Sequence, residues 1–120
     1  MKKRIFIYLA IIFTIVTACT EDTTVMIRVK NVSTFNYKNV IIGRDSFGDL
    51  AFGQYSNYKT YSSAYSYNSY HLFVDNDTID MIAYDFVGEE LLKSGNYTYE
   101  IDAVKNEDNS ITTTLKCVKD

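Results

Sequence analysis

The chain reads as an all-β protein, an antiparallel β-sandwich of six or seven short strands. Three observations predict it. Apolar and polar residues alternate with period two in one segment after another. Clusters of Asn, Asp, Gly and Ser separate those segments at hairpin spacing. The chain holds no proline, and few stretches carry a helical repeat. A small barrel is the alternative closure for the same strands.

The elements follow in order. "TVMIRVKNV" sets Val25, Ile27 and Val29 on one face and Arg28 and Lys30 on the other. "KNVIIGR" is apolar over Val40 to Ile42, and "DLAFG" between two glycines reads as another short strand. "AYSYNSYHLFV" reads as a strand from Ala64, with Tyr70, Leu72 and Val74 inward and Tyr65 and Tyr67 outward. A one-residue slip would exchange those faces. Asp75 to Asp77 form a turn, because Asx side chains bond their own backbone nearby. "TIDMIAYDFVG" is the next strand, "EELLKSG" a single helical turn, and Ser94 to Asn96 another turn. "YTYEIDAV" puts Tyr97, Tyr99, Ile101 and Ala103 inward and Thr98, Glu100 and Asp102 outward. "KNEDN" turns, and the closing strand sets Ile111, Thr113, Leu115 and Cys117 on one face.

The N-terminus carries a different message. Lys2, Lys3 and Arg4 precede an uncharged run from Ile5 to Val16, then small residues and Cys19. That is the layout of a secretory signal peptide, and the run is short of the roughly 20 apolar residues a spanning helix needs. "VTAC" resembles a bacterial lipobox. The resemblance implies cleavage after residue 18 and acylation of Cys19, so the lipid bilayer is a partner. Two or three acyl chains on one residue hold a protein firmly, where a single chain is marginal. The division is therefore a leader at 1–18, a lipidated tether at 19–24 and a β domain at 25–120. Glu21 and Asp22 resemble the export signal of Bacteroidetes surface lipoproteins, which implies the outer membrane facing outward; a periplasm-facing anchor is the alternative. Only Thr20 to Thr24 separate Cys19 from the first strand, a reach of at most about 18 Å.

"GEELLKSGNYTYEI" resembles the strand entry of small prealbumin-like (transthyretin-like) sandwiches, common among such lipoproteins. The resemblance implies a fold and no functional residue. "DTT" and "DTI" resemble the short O-glycosylation motif of Bacteroidetes exported proteins, which would place sugar on Thr23 and Thr78.

Without the leader, 9 Lys and Arg (12 less three) face 15 Asp and Glu, so the mature chain carries about six negative charges. That balance argues against nucleic acid as a partner. If Cys19 is acylated, Cys117 has no partner in the chain and reads as a small buried hydrophobe; a Cys19–Cys117 disulfide is the non-lipidated alternative.

Residues 55–70, "YSNYKTYSSAYSYNSY", hold six tyrosines and five serines. Tyrosine gives a broad, stiff, amphipathic contact face, and Ser and Asn add adaptable hydrogen bonds. Tyr55, Tyr58 and Tyr61, read as lying in a loop, with Tyr65 and Tyr67 beyond them, are the candidate contact residues for a protein or glycan. The competing reading is ordinary sheet packing, since tyrosine favours half-buried strand positions.

Other chemistry is thin. Asp75, Asp77 and Asp80 miss the EF-hand pattern, because Ile79 stands at its fifth position. His71 has no Cys, Asp or Glu near it in its strand. Asp85, Glu89 and Glu90 read as solvated carboxylates. No metal, cofactor or enzymatic activity is expected. The function expected is a membrane-anchored binding or accessory module; the alternative is a structural subunit of an envelope or pilus-like assembly that takes a strand on an open sheet edge.

Overall fold

A computed structural model describes residues 24–84, 86 and 89–120. The leader, Cys19 and Thr23 lie outside the described residues, as does Asp85. Among the described residues there is no helix. Eight strands form: β1 (Val25–Asn31), β2 (Tyr37–Ile42), β3 (Asp45–Leu50), β4 (Lys59–Tyr61), β5 (Tyr70–Val74), β6 (Asp77–Met81), β7 (Gly95–Lys105) and β8 (Ile111–Lys119). They make two four-stranded sheets, ordered β4-β1-β7-β8 and β3-β2-β5-β6. The fold is a β-sandwich.

Alternation places the core. Val25, Ile27 and Val29 of β1, Tyr97, Tyr99, Ile101 and Ala103 of β7, and Leu72 and Val74 of β5 are all buried, as their spacing predicts. Fully burying a Val, Ile or Leu side chain contributes about 1.5–3 kcal/mol, so this shared cluster is the main source of stability. Two tyrosines tie the sheets together. The Tyr37 hydroxyl donates to the Ile101 carbonyl at 2.9 Å, and the Tyr70 and Thr113 hydroxyls bond at 2.8 Å. Cys117 is half-buried against the core.

Three hairpins, β2–β3, β5–β6 and β7–β8, turn where polar residues cluster. In the first, Gly43 takes φ 60°, and a Cβ there would stand 3.0 Å from Asn68 Nδ2. In the second, Asp75 takes φ 52° directly after Val74, inside the Val74–Asp77 closing pair. The remaining connections cross between sheets.

Several elements depart from the sequence reading. There are eight strands, and not all pair antiparallel: β1 lies parallel to β7, with Val25 opposite Gly95 and Asn31 opposite Ile101. Ser94–Asn96 is not a turn; Gly95 opens β7 with φ 147°, a conformation suited to glycine. β2 starts at Tyr37, three residues early, because Asn39 at φ 51° forms a bulge and brings both Tyr37 and Val40 inward. β3 begins at Asp45 and ends at Leu50, so "DLAFG" contributes its first two residues only. The expected strand from Ala64 is reduced to Tyr70–Val74, and the one from Thr78 stops at Met81. Conversely, Lys59–Tyr61 pairs with β1 as a strand, not a loop. No helical turn forms at "EELLKSG"; there the Leu92 N–H bonds the Ala64 carbonyl.

Candidate contact surface

Because β1 turns its Val and Ile inward, Arg28 and Lys30 stand on the outer face of the first sheet. The parallel register sets Arg28 opposite Thr98, and Arg28 Nε donates to Thr98 Oγ1 at 3.0 Å. The segment after Gly53 runs along β1: the Ser56 N–H bonds the Val29 carbonyl, and the Val29 N–H bonds Ser56 Oγ, both at 2.8 Å. Tyr55 thereby forms a backbone bridge to Lys30. Its ring lies 4.0 Å from the Arg28 guanidinium and 4.8 Å from Lys30 Nζ, and the Tyr58 ring lies 4.9 Å from the same guanidinium.

Asp120 closes the cluster. One oxygen accepts from the Thr98 hydroxyl at 2.6 Å; the other accepts from the Tyr58 hydroxyl and lies 3.6 Å from Arg28 Nε. Burial raises the Asp120 carboxyl, but the two hydroxyl donors and the Arg28 charge outweigh it, and the net shift is downward. The hydrogen bond to that carboxylate, with a small contribution from burial, raises Tyr58. Exposed cation–π contacts are worth about 0.5–1 kcal/mol each. Two on one arginine, with a carboxylate behind it, favour this placement of the two aromatic rings. Tyr55 remains 44 % exposed.

The rest of the tyrosine tract goes elsewhere. Tyr61 packs against the core, and its hydroxyl donates to Asp45 Oδ2 at 2.7 Å across the sandwich. Tyr65 and Tyr67 both stack on Phe86, with ring centroids 4.8 and 4.9 Å apart. The Tyr65 carbonyl accepts the Tyr99 hydroxyl. Tyr61, Tyr65, Tyr67, Phe86 and Tyr99 surround a hollow of about 130 Å³. The single surface expected from the sequence is thus two groups, Tyr55 with Tyr58 on the outer face and Tyr61, Tyr65 and Tyr67 around the hollow. Arg28, Thr98, Asp120 and Phe86 were not among the sequence candidates. Arg28 did carry a signal, its outward phase in β1, whereas nothing local links residue 28 to residues 98 and 120.

His71 does have an acidic neighbour. The β5–β6 register sets Asp80 opposite it, and Nδ1 contacts the carboxylate, while the ring meets Phe73 edge-on at 5.1 Å. Asp75 and Asp77 border a polar hollow of about 590 Å³ with Lys38 and Lys105. Among the described residues no group of three His, Cys, Asp or Glu is placed to hold a metal. Thr78 is exposed on β6 opposite Phe73, two residues beyond Asn76 at the hairpin tip. Glu89 and Glu90 are exposed. No helix of the described residues is long and apolar enough to cross a membrane. No known protein family, characterised protein or solved structure matches the chain.

Proposed function

We propose that the chain is a lipoprotein anchored through Cys19 in the outer membrane, displayed at the cell surface, and that it binds a protein or glycan rather than catalysing a reaction. Tyr55 and Tyr58, held by Arg28, make the contact. The observation that carries this reading is the Arg28 cluster: an exposed tyrosine ring is packed by the chain itself against the Arg28 and Lys30 cations, beside hydrogen-bonding groups. Preorganised aromatic side chains lose little entropy on binding, and Tyr and Arg dominate contact hot spots. Sugar rings and protein side chains both stack on such a face. The test is a glycan array and an envelope pull-down with the mature chain. Tyr55→Ala and Arg28→Ala are each expected to weaken binding about tenfold, or about 1.4 kcal/mol. A control, Phe73→Ala on the other sheet, should bind as the parent does. Undiminished binding by both outer-face variants would remove the proposal.

A second reading, strand addition, rests on β8. It is a nine-residue edge strand paired on one side only, by β7. Between it and the end of β6 lies a cleft of about 380 Å³ lined by Tyr70, Met81, Ile82, Thr113 and Leu115. A partner strand there would extend the sheet and fill the cleft.

A further inference from the structure

We infer that the end of the sandwich nearest the anchor rests on the bilayer itself, with Ile82, Tyr84 and Leu91 reaching the interface; this rests on acylation of Cys19 as proposed above. Of the eight large apolar side chains exposed among the described residues, four fall within Met81–Leu91. Ile82 is 58 % exposed, Tyr84 87 % and Leu91 53 %. Hydrogen bonds of Ala83, Leu92 and Gly95 place the two ends of this stretch at the end where the chain enters. The Leu92 N–H is bound to the Ala64 carbonyl, and Gly95, four residues after Leu91, donates to the Thr24 carbonyl at 3.3 Å. On the other sheet the Ala83 N–H bonds Ser69 Oγ at 2.9 Å, and the Ser69 carbonyl accepts from Gly43 at the β2–β3 turn. The Tyr61–Asp45 bond joins these two ends.

The tether keeps this end close to the membrane. Five residues reach at most about 18 Å, so the acyl chains hold the segment at high effective concentration against the lipid. A contact too weak to recruit a free protein is then occupied. Tyrosine suits the interface, having an apolar body and a polar tip. Glu89 and Glu90 are exposed in the same stretch and would be repelled by anionic headgroups, so the apolar side chains suit a zwitterionic surface.

The chain contains no tryptophan, so one introduced indole is a clean reporter. Tyr84→Trp, Leu91→Trp and Phe52→Trp variants of the full chain, processed in cells, would be reconstituted into phosphatidylcholine vesicles with brominated acyl chains. Phe52 stands at the other end of β1, beside the Gly53–Asn31 hydrogen bond, about 20 Å from Val25. Quenching of Tyr84→Trp and Leu91→Trp is expected to exceed that of Phe52→Trp at least about twofold and to be unchanged by salt. Equal quenching in all three, with mass spectrometry confirming the acyl chains, overturns the bilayer contact and leaves the anchor standing. A product without acyl chains that does not associate with vesicles overturns both. A Tyr84→Trp indole already blue-shifted without lipid, in a chain that runs as an oligomer, assigns the patch to a second copy and also overturns it.

Discussion

Asn31→Ala is expected to destabilise the domain by about 3–5 kcal/mol, as much as a large core truncation. Asn31 closes β1 and is fully buried, at 0 % exposure. Its side chain fills its hydrogen-bonding capacity in an unusual way for a strand residue. Nδ2 donates to the Phe35 carbonyl at 2.6 Å and to the Leu50 carbonyl at 3.0 Å. Oδ1 accepts from the Ser33 N–H at 2.9 Å and from the Ser33 hydroxyl at 2.7 Å. One amide therefore holds the crossing from β1 to β2 and the end of β3 in the opposite sheet. Removing it takes one partner from the Phe35 carbonyl, which keeps the Ser33 hydroxyl at 3.2 Å, and strips the Leu50 carbonyl and the Ser33 N–H of their side-chain partner; each unpaired buried group costs about 1–3 kcal/mol before relaxation. Ser33→Ala, which loses one hydroxyl, should cost about 1 kcal/mol. Urea unfolding of both variants checks the order. A loss below about 1 kcal/mol for Asn31→Ala would show that water replaces the amide at no great cost.

Alkali is expected to unfold the domain cooperatively between roughly pH 10 and pH 12. Burial pushes the Tyr37 hydroxyl up to about 12. Burial also raises Tyr99, and burial and then the Asp45 hydrogen bond raise Tyr61. A raised folded-state pKa means that the folded chain keeps the proton longer. The associated stability is complete below the ordinary tyrosine value near 10 and is lost as pH rises toward the folded value. For Tyr37 alone the shift of about two units corresponds to about 2–3 kcal/mol, a large part of a small domain's stability. Followed together with circular dichroism, the part of the tyrosinate absorbance that comes from Tyr37, Tyr61 and Tyr99 should appear late, in one step shared with the loss of the sheet signal. Tyr37→Phe should lose about 1 kcal/mol at neutral pH, because the Ile101 carbonyl loses one of its two donors and keeps the Val32 N–H, yet retain more of its stability in alkali. Gradual ionisation of every tyrosine near the ordinary value, with the sheet signal intact, would contradict the buried hydroxyls.

Much of the domain was legible because alternation is a property of the local backbone. A strand turns successive side chains to opposite faces, so Val25, Ile27 and Val29, or Tyr97, Tyr99 and Ile101, declare their inward phase without reference to any partner. Hairpin turns are equally local, and "DND" and "KNEDN" lie where the chain reverses. The tract at 55–67, before Tyr70 joins β5 with its predicted inward phase, was not legible in this way. Its tyrosines have the same composition throughout, and only their neighbours differ: Arg28 under Tyr55, Asp45 beyond Tyr61, Phe86 against Tyr65 and Tyr67.

By itself the sequence determined an all-β domain, the phase of its main strands and the location of the β5–β6 and β7–β8 hairpin turns, since each of these follows from residues a few positions apart. The tertiary structure alone decided the parallel pairing of β1 with β7, the bulge that turns Tyr37 inward, the burial of Asn31 and the division of the tyrosines into two groups. Those outcomes depend on which strands close against each other across tens of residues. A bulge or an added short strand changes the face of every residue that follows, and no local spacing records it.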